Sequence, residues 1–287
     1  MENFSYKKER ADVVTPENFE AHKKQLSDQI WSGEYGKALP LADRLLKYRT
    51  EKGDRNAALV NYASNYYSAA SKLWKEGGAK SLPSVGKYMN TALHALQERL
   101  EKEIESRGGK KKGMIPVSLN GMSASELDVM QAIYRRAAVI MDKVPLVKPI
   151  RQLLLSKESD KVRDWDAAAL LSIRAGLNKV REAKKAGKPE ASHTEIFLTI
   201  GSFEIADRYG WKRDAESRVG KIFELADKYP WPSEKGFKEK SNSEQHEYRQ
   251  AIRVARQLED VAKTLDDKEH IGEFREKARA YLENIKN

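Results

Sequence analysis

The chain has 287 residues, with 53 Lys+Arg against 43 Asp+Glu, a net charge of +10 and no cysteine. A chain of this size buries roughly three quarters of its unfolded surface, enough for a real core in one extended domain or two compact ones. Without cysteine there is no disulfide framework, no thiol nucleophile and no Cys-ligated zinc or iron–sulfur centre, as expected in a reducing compartment. No apolar run approaches the ~20 residues of a membrane span, and the charged opening from Met1 to Arg10 lacks the apolar centre of a signal peptide. The expectation is a soluble cytoplasmic protein with no membrane partner.

Apolar residues recur at helical spacing along almost the whole chain, and no stretch shows strand-like alternation bounded by hairpin turns. Leu59, Tyr62, Tyr66, Ala70 and Leu73 share one face of a helix over about 55 to 75. Leu127, Met130, Tyr134, Ala137 and Met141 form the next clear stripe, opened by Ser123 with Glu126 three residues later, the pattern of a capping box. Further on, Val219, Ile222, Phe223, Ala226 and Tyr229 form a stripe. Tyr248, Ile252, Ala255, Leu258 and Leu265 form another, and Ile271, Phe274, Ala278, Tyr281 and Ile285 close the chain. Short breaks separate them, at Ser32 to Gly36, Gly77 with Gly78, Pro145 and Pro149, Gly187 to Pro189, Gly210, and Pro230 to Pro232. These give about eleven helices joined by short turns, an all-α array of antiparallel helical hairpins. Residues 1–287 are expected to form a single helical-repeat domain, with a possible internal boundary at the basic loop 107–121.

Small residues predict how one helix sits. Over about 164 to 186, Leu170, Ile173, Leu177 and Val180 lie on one side of the wheel. Ala168, Ala169, Ser172, Ala175, Gly176 and Ala183 lie nearly opposite. A helix with a large apolar face and a small face is expected between two layers, its small side allowing close approach. The Ala/Ser-rich stretch 57–71 has the same character.

Residues 203–211 and 223–231 are near copies twenty positions apart, each running Phe-Glu-Ile/Leu-Ala-Asp-Arg/Lys-Tyr-Gly/Pro-Trp, and Leu41 to Arg44 echoes their centre. The spacing is one helix plus a turn, so the copies are expected at equivalent places on consecutive helices. The same residues also suit any helix end, with alanine inward and a basic side chain near the C-terminal dipole. Gly33, Tyr35, Ala38, Leu39 and Ala42 resemble the turn and second-helix opening of a tetratricopeptide (TPR) repeat. A looser version is found at Gly86 and Tyr88 with Ala92 and Ala95. The resemblance covers the N-terminal third and no strict 34-residue period survives. It implies stacked helical hairpins with a concave surface for a protein or peptide partner, and it transfers no binding residue.

Signals for chemistry are few. Of His22, His94, His193, His246 and His270, only His193 follows a glutamate at Glu-x-x-His spacing, with Glu190; this is half of a di-iron ligand set, and no second copy exists. Gly108 to Gly113 has the composition of a nucleotide loop without its spacing or a preceding strand. No serine is marked by a base and an oxyanion hole. The expectation is therefore no catalytic residue, no metal and no cofactor. Tyr62, Tyr66 and Tyr67 with Trp74 form an aromatic cluster that suits either core packing or the lining of a ligand site.

Charge is the surface feature with a direction. The whole positive excess precedes residue 201, and 201–287 is neutral. Arg107, Lys110, Lys111 and Lys112 form one basic cluster. Arg163, Arg174, Arg181 and Lys185 form a second, within about 40° on a wheel of 100° per residue. Such a stripe can follow a phosphate backbone or an acidic partner, or simply solvate a helix edge, and Asp164, Asp166 and Glu182 offset part of it. The sequence thus points to a non-catalytic helical scaffold or adaptor binding a protein or peptide between its helices. Its alternative is a basic, all-helical nucleic-acid-binding protein of nucleoprotein or coat type using the eight cations named. The oligomeric state is not encoded in any feature found.

Overall fold

The computed structural model describes residues 13–106, 119–147, 162–187, 192–232, 241–264 and 271–286. Leu265, Pro149, Lys188, Pro189, Glu190 and His270, all singled out by the sequence, lie outside the described residues. The protein is all-α. Ten α-helices and one 3-10 turn occur among the described residues, and adjacent helices pack on one another as in a helical array. The helices are α1 (Phe19–Ser32), α2 (Tyr35–Glu51), α3 (Arg55–Glu76), α4 (Gly78–Ser106), α5 (Ala124–Ile140), α6 (Asp164–Lys185), α7 (Ser192–Arg208), α8 (Lys212–Asp227), α9 (Asn242–Thr264) and α10 (Ile271–Lys286). Among the described residues no helix is long and apolar enough to cross a membrane.

The chain divides into two compact units. The first holds Met1–Ser118, Arg136–Ser159 and Arg163–Trp165; the second holds Leu119–Arg135, Asp160–Val162 and Asp166–Asn287. The first changeover, at Ser118 and Leu119, falls inside the 107–121 stretch.

In the first unit α1 to α4 are joined by connections of one to three residues. So short a link between helices that pack on each other makes the neighbours antiparallel. α1 ends because Gly33 takes φ +78°, a left-handed conformation glycine adopts without a Cβ clash. The next amide, Glu34 N–H, then donates back to Gln29 O at 2.8 Å. This is the turn that carries the tetratricopeptide resemblance, and Ala38 and Ala42 after it are buried. The second such stretch has no turn, because Gly86 to Ala95 runs through the interior of α4. A Cβ added at Gly86 would sit 3.4 Å from Val144 Cβ, so the glycine serves close packing there. Beyond it, Asn90 on α4 pins the segment after α5: its amide donates to Pro145 O at 3.0 Å and its carbonyl accepts Val147 N–H at 2.9 Å.

The second unit is built around α7. Ile196, Phe197, Leu198, Ile200, Phe203, Ile205 and Ala206 are all buried, as are Thr194, Thr199 and Ser202 between them. A helix apolar on every side belongs at the centre of its layer arrangement. The capping box predicted at Ser123 is present. Ser123 N–H donates to Glu126 Oε2 at 2.8 Å while Glu126 N–H donates to Ser123 Oγ at 3.2 Å, the reciprocal pair of a capping box. Ser241 and Glu244 repeat it ahead of α9, at 2.9 and 3.3 Å. One stripe member is misplaced by the periodicity. Met141 follows the last residue of α5 and is 38% exposed, so it leaves the core with the helix that would have carried it.

The near copies occupy equivalent ends of α7 and α8. In each, the phenylalanine and alanine are buried and the tyrosine and tryptophan rings meet just beyond the helix, at 5.6 Å for Tyr209 and Trp211 and 4.7 Å for Tyr229 and Trp231. The terminations differ with the eighth residue. Gly210 takes φ +66° and lets Trp211 N–H reach Ala206 O at 2.8 Å. Proline at 230 cannot adopt that conformation, and the Trp231 indole donates to Ala226 O at 3.1 Å instead. The third echo, Leu41 to Arg44, lies in the interior of α2.

Four of the six small-face residues of α6 are buried. Ala168, Ala169 and Ser172 are inaccessible, and a Cβ on Gly176 would meet Leu198 Cδ1 of α7 at 2.7 Å and Leu127 Cβ of α5 at 3.4 Å. Ala175 and Ala183 of the same face are half-buried; on the large side Ile173 and Val180 are buried, while Leu170 and Leu177 are half-buried. The substitution Ala169→Leu is therefore expected to destabilise the second unit by about 1–3 kcal/mol, since a packed contact has no room for three more carbons. Ala175→Leu should cost well under half as much. Urea unfolding of the two variants checks this, and equal midpoints would remove the tight contact from α6.

Candidate partner-binding groove

α2 has a second polar edge beside its buried face. Asp43, Lys47, Thr50 and Glu51 recur at the spacing of one helix side, while Leu41, Ala42, Leu45 and Leu46 turn inward. After the turn at Lys52 to Asp54 the chain reverses into α3, which brings Arg55, Tyr62 and Tyr66 opposite that edge. The next reversal brings Thr91 of α4 to the same place. These residues, with Leu46, line an open cavity of about 610 Å3.

Asp43, Thr50, Arg55, Tyr62 and Tyr66 are held by hydrogen bonds. Arg55, the first residue of α3, reaches Glu98 on α4 with two parallel bonds, Nε to Oε1 at 2.5 Å and Nη2 to Oε2 at 2.8 Å, and its Nη1 donates to Thr50 Oγ1 at 3.0 Å. The bidentate fork fixes both side chains, holds the Glu98 carboxyl below the usual range and raises the guanidinium. Tyr62 and Tyr66, one turn apart, both donate to the same carboxylate oxygen, Asp43 Oδ1, at 2.9 and 2.8 Å. Their rings lie 4.9 Å apart, and Tyr66 meets Tyr88 edge-on at 5.8 Å. Burial pushes the Tyr62 phenol up to about 12; the Tyr66 hydrogen bond opposes it, and the hydrogen bond and charge of Asp43 add to it. Burial, with the Tyr62 and Asp43 hydrogen bonds, also raises Tyr66. Both phenols thus stay protonated donors across the physiological range.

Of the cations the sequence selected, Arg107, Lys110, Lys111 and Lys112 lie outside the described residues. Arg163 belongs to the first unit and precedes α6, so the helical wheel does not direct it; its guanidinium donates to Asp142 Oδ2 at 2.7 Å and to Ala138 O at 3.3 Å. Arg174, Arg181 and Lys185 are together, all exposed on one side of α6 in the second unit, with Arg181 donating to Asn178 Oδ1 at 3.1 Å. His193, the histidine of the half metal motif, packs edge-on to Phe197 at 5.9 Å. Burial first, then His246 and Arg253, push it down to about 4, and the ring is neutral. Among the described residues no three His, Asp or Glu side chains are placed to hold a metal ion.

The tyrosines of the groove were visible in the sequence as an aromatic cluster, and Asp43 as the centre of the third echo. What joins them is tertiary, and no local pattern marks it. The sequence also missed Arg55 and Glu98, whose pairing spans 43 positions. No protein-family model, curated protein or solved structure matches the chain.

Proposed function

We propose that this chain is a non-catalytic scaffold or adaptor of the cytoplasm that binds a protein or peptide partner in the groove between α2, α3 and α4. The observation that supports this most is the open cavity of about 610 Å3 in whose lining Asp43, Arg55, Tyr62 and Tyr66 are already held in place before any partner arrives. Binding to such a surface forfeits little side-chain freedom, which favours affinity. Filling the groove is the test. Thr91→Trp places an indole at its α4 wall, and a partner recovered from native lysate by the wild type should be lost with the variant while nuclease treatment leaves it bound. Recovery undiminished by Thr91→Trp, with helicity unchanged, would move the binding site elsewhere.

A second reading has its own observation. Arg174, Arg181 and Lys185 stand exposed on one face of a helix whose remaining faces are largely packed, a geometry suited to a phosphate backbone.

A further inference from the structure

We propose that the groove selects a basic side chain of its partner, a lysine or arginine in a peptide segment, and seats that charge on Asp43. The inference rests on the groove being the binding surface. Asp43 is an oriented carboxylate: two phenols occupy Oδ1, and among the described residues no donor is bonded to Oδ2. An anion so fixed is preorganised for a cation in the cavity it lines.

The charges around it have the matching sign. The lining itself is formally neutral, but Arg55 is engaged by its two bonds to Glu98, which leaves Asp43 and Glu51 against Lys47 as the charges open to a partner in a chain of net charge +10. Glu51 and Lys47 have no ion-pair partner among the described residues. The long-range repulsion of a basic peptide is screened beyond about 8 Å at physiological salt, so the groove's own charges decide the encounter. The half-buried Tyr62 also lines the cavity, and an aromatic ring there suits a cation. The cavity exceeds what one side chain fills, so the residues flanking the lysine or arginine enter with it. An acidic segment is the poorer fit, since the one unengaged cation, Lys47, stands between two carboxylates.

The test uses the full chain at 0.15 M salt and an array of random dodecapeptides, read for sequence enrichment, with the best binders remeasured by fluorescence anisotropy. Enrichment of lysine or arginine is expected. Asp43→Asn keeps an oxygen for both phenols and replaces the charged Oδ2 acceptor by an uncharged amide donor, and it should weaken those peptides by about tenfold or more, the scale of a lost charged hydrogen bond. Replacing the selected lysine by norleucine should cost as much, and nothing further in the Asp43→Asn background. Peptides that bind, are lost with Thr91→Trp, and yet ignore Asp43→Asn or are enriched in acidic residues would overturn the inference and leave the groove reading standing. Peptides indifferent to Thr91→Trp, or none bound at all, would overturn the groove reading and this inference with it.

Discussion

Replacing Arg208 by methionine should cost the second unit about 3–5 kcal/mol, because it leaves a buried carboxylate without its counter-charge. Asp166, in the first turn of α6, is 0% exposed. Its Oδ1 receives Arg208 Nη1 at 2.5 Å, and its Oδ2 receives the Tyr209 hydroxyl at 3.0 Å. Without the guanidinium, the anion keeps one phenol and the N-terminal dipole of α6, which together offset only part of the desolvation. Arg208 itself is 30% exposed. Solvent therefore already weakens the pair, and the lower end of the range is expected. Tyr209→Phe alone should cost about 1.5–3 kcal/mol, as for a hydrogen bond to a charged group. The double variant Asp166→Asn with Arg208→Met should recover much of the loss, since neither charge then remains buried. Urea unfolding followed by tryptophan fluorescence measures all three. A loss below about 1 kcal/mol for Arg208→Met would show that the pair is solvated and structurally incidental.

That network also shows where reading the sequence stops. Arg208 and Tyr209 sit inside the first of the near copies, and the second carries Lys228 and Tyr229 at the same positions. The buried members of the copies, phenylalanine and alanine, do the same work in both. The polar members do not: Lys228 turns to Glu224 on its own helix at 2.7 Å, whereas Arg208 reaches a carboxylate 42 positions away. Periodicity reports what a helix needs to bury, and a partner that arrives from another helix leaves no trace in the local pattern.

The same limit explains which helix was legible as interior. α6 shows its two faces on a wheel because one is large and one small. α7, the more deeply buried of the two, shows none, since an element apolar all round has no stripe to detect. Its signature is compositional: Ile196 to Phe203 carries no charged residue in a chain that is 33% charged. In the groove, Tyr62 and Tyr66 could be placed on one face from their spacing. Asp43 appeared only as part of an echo, and its pairing with both phenols depends on how α2 and α3 meet.

Reversing Arg174, Arg181 and Lys185 to glutamate should abolish single-stranded RNA binding if α6 tracks a phosphate backbone. Each phosphate neutralised contributes about −0.7 to the slope of log affinity against log salt, so three engaged cations give a slope near −2. Wild-type affinity should then fall roughly twentyfold between 50 and 200 mM salt by the same relation. Glutamate is a good helix former, and all three positions are exposed, so helicity should not change. The control reverses Lys24, Lys80 and Lys87, equally exposed cations of the first unit, and alters net charge by the same amount. A stripe that acts as a site loses binding and the salt slope only in the α6 variant, because contacts at defined positions are what release the counterions. A chain whose positive excess merely attracts polyanions loses affinity equally in both, because its field depends on net charge alone. Equal losses would remove the nucleic-acid reading and leave the groove of the first unit as the surface on which function turns.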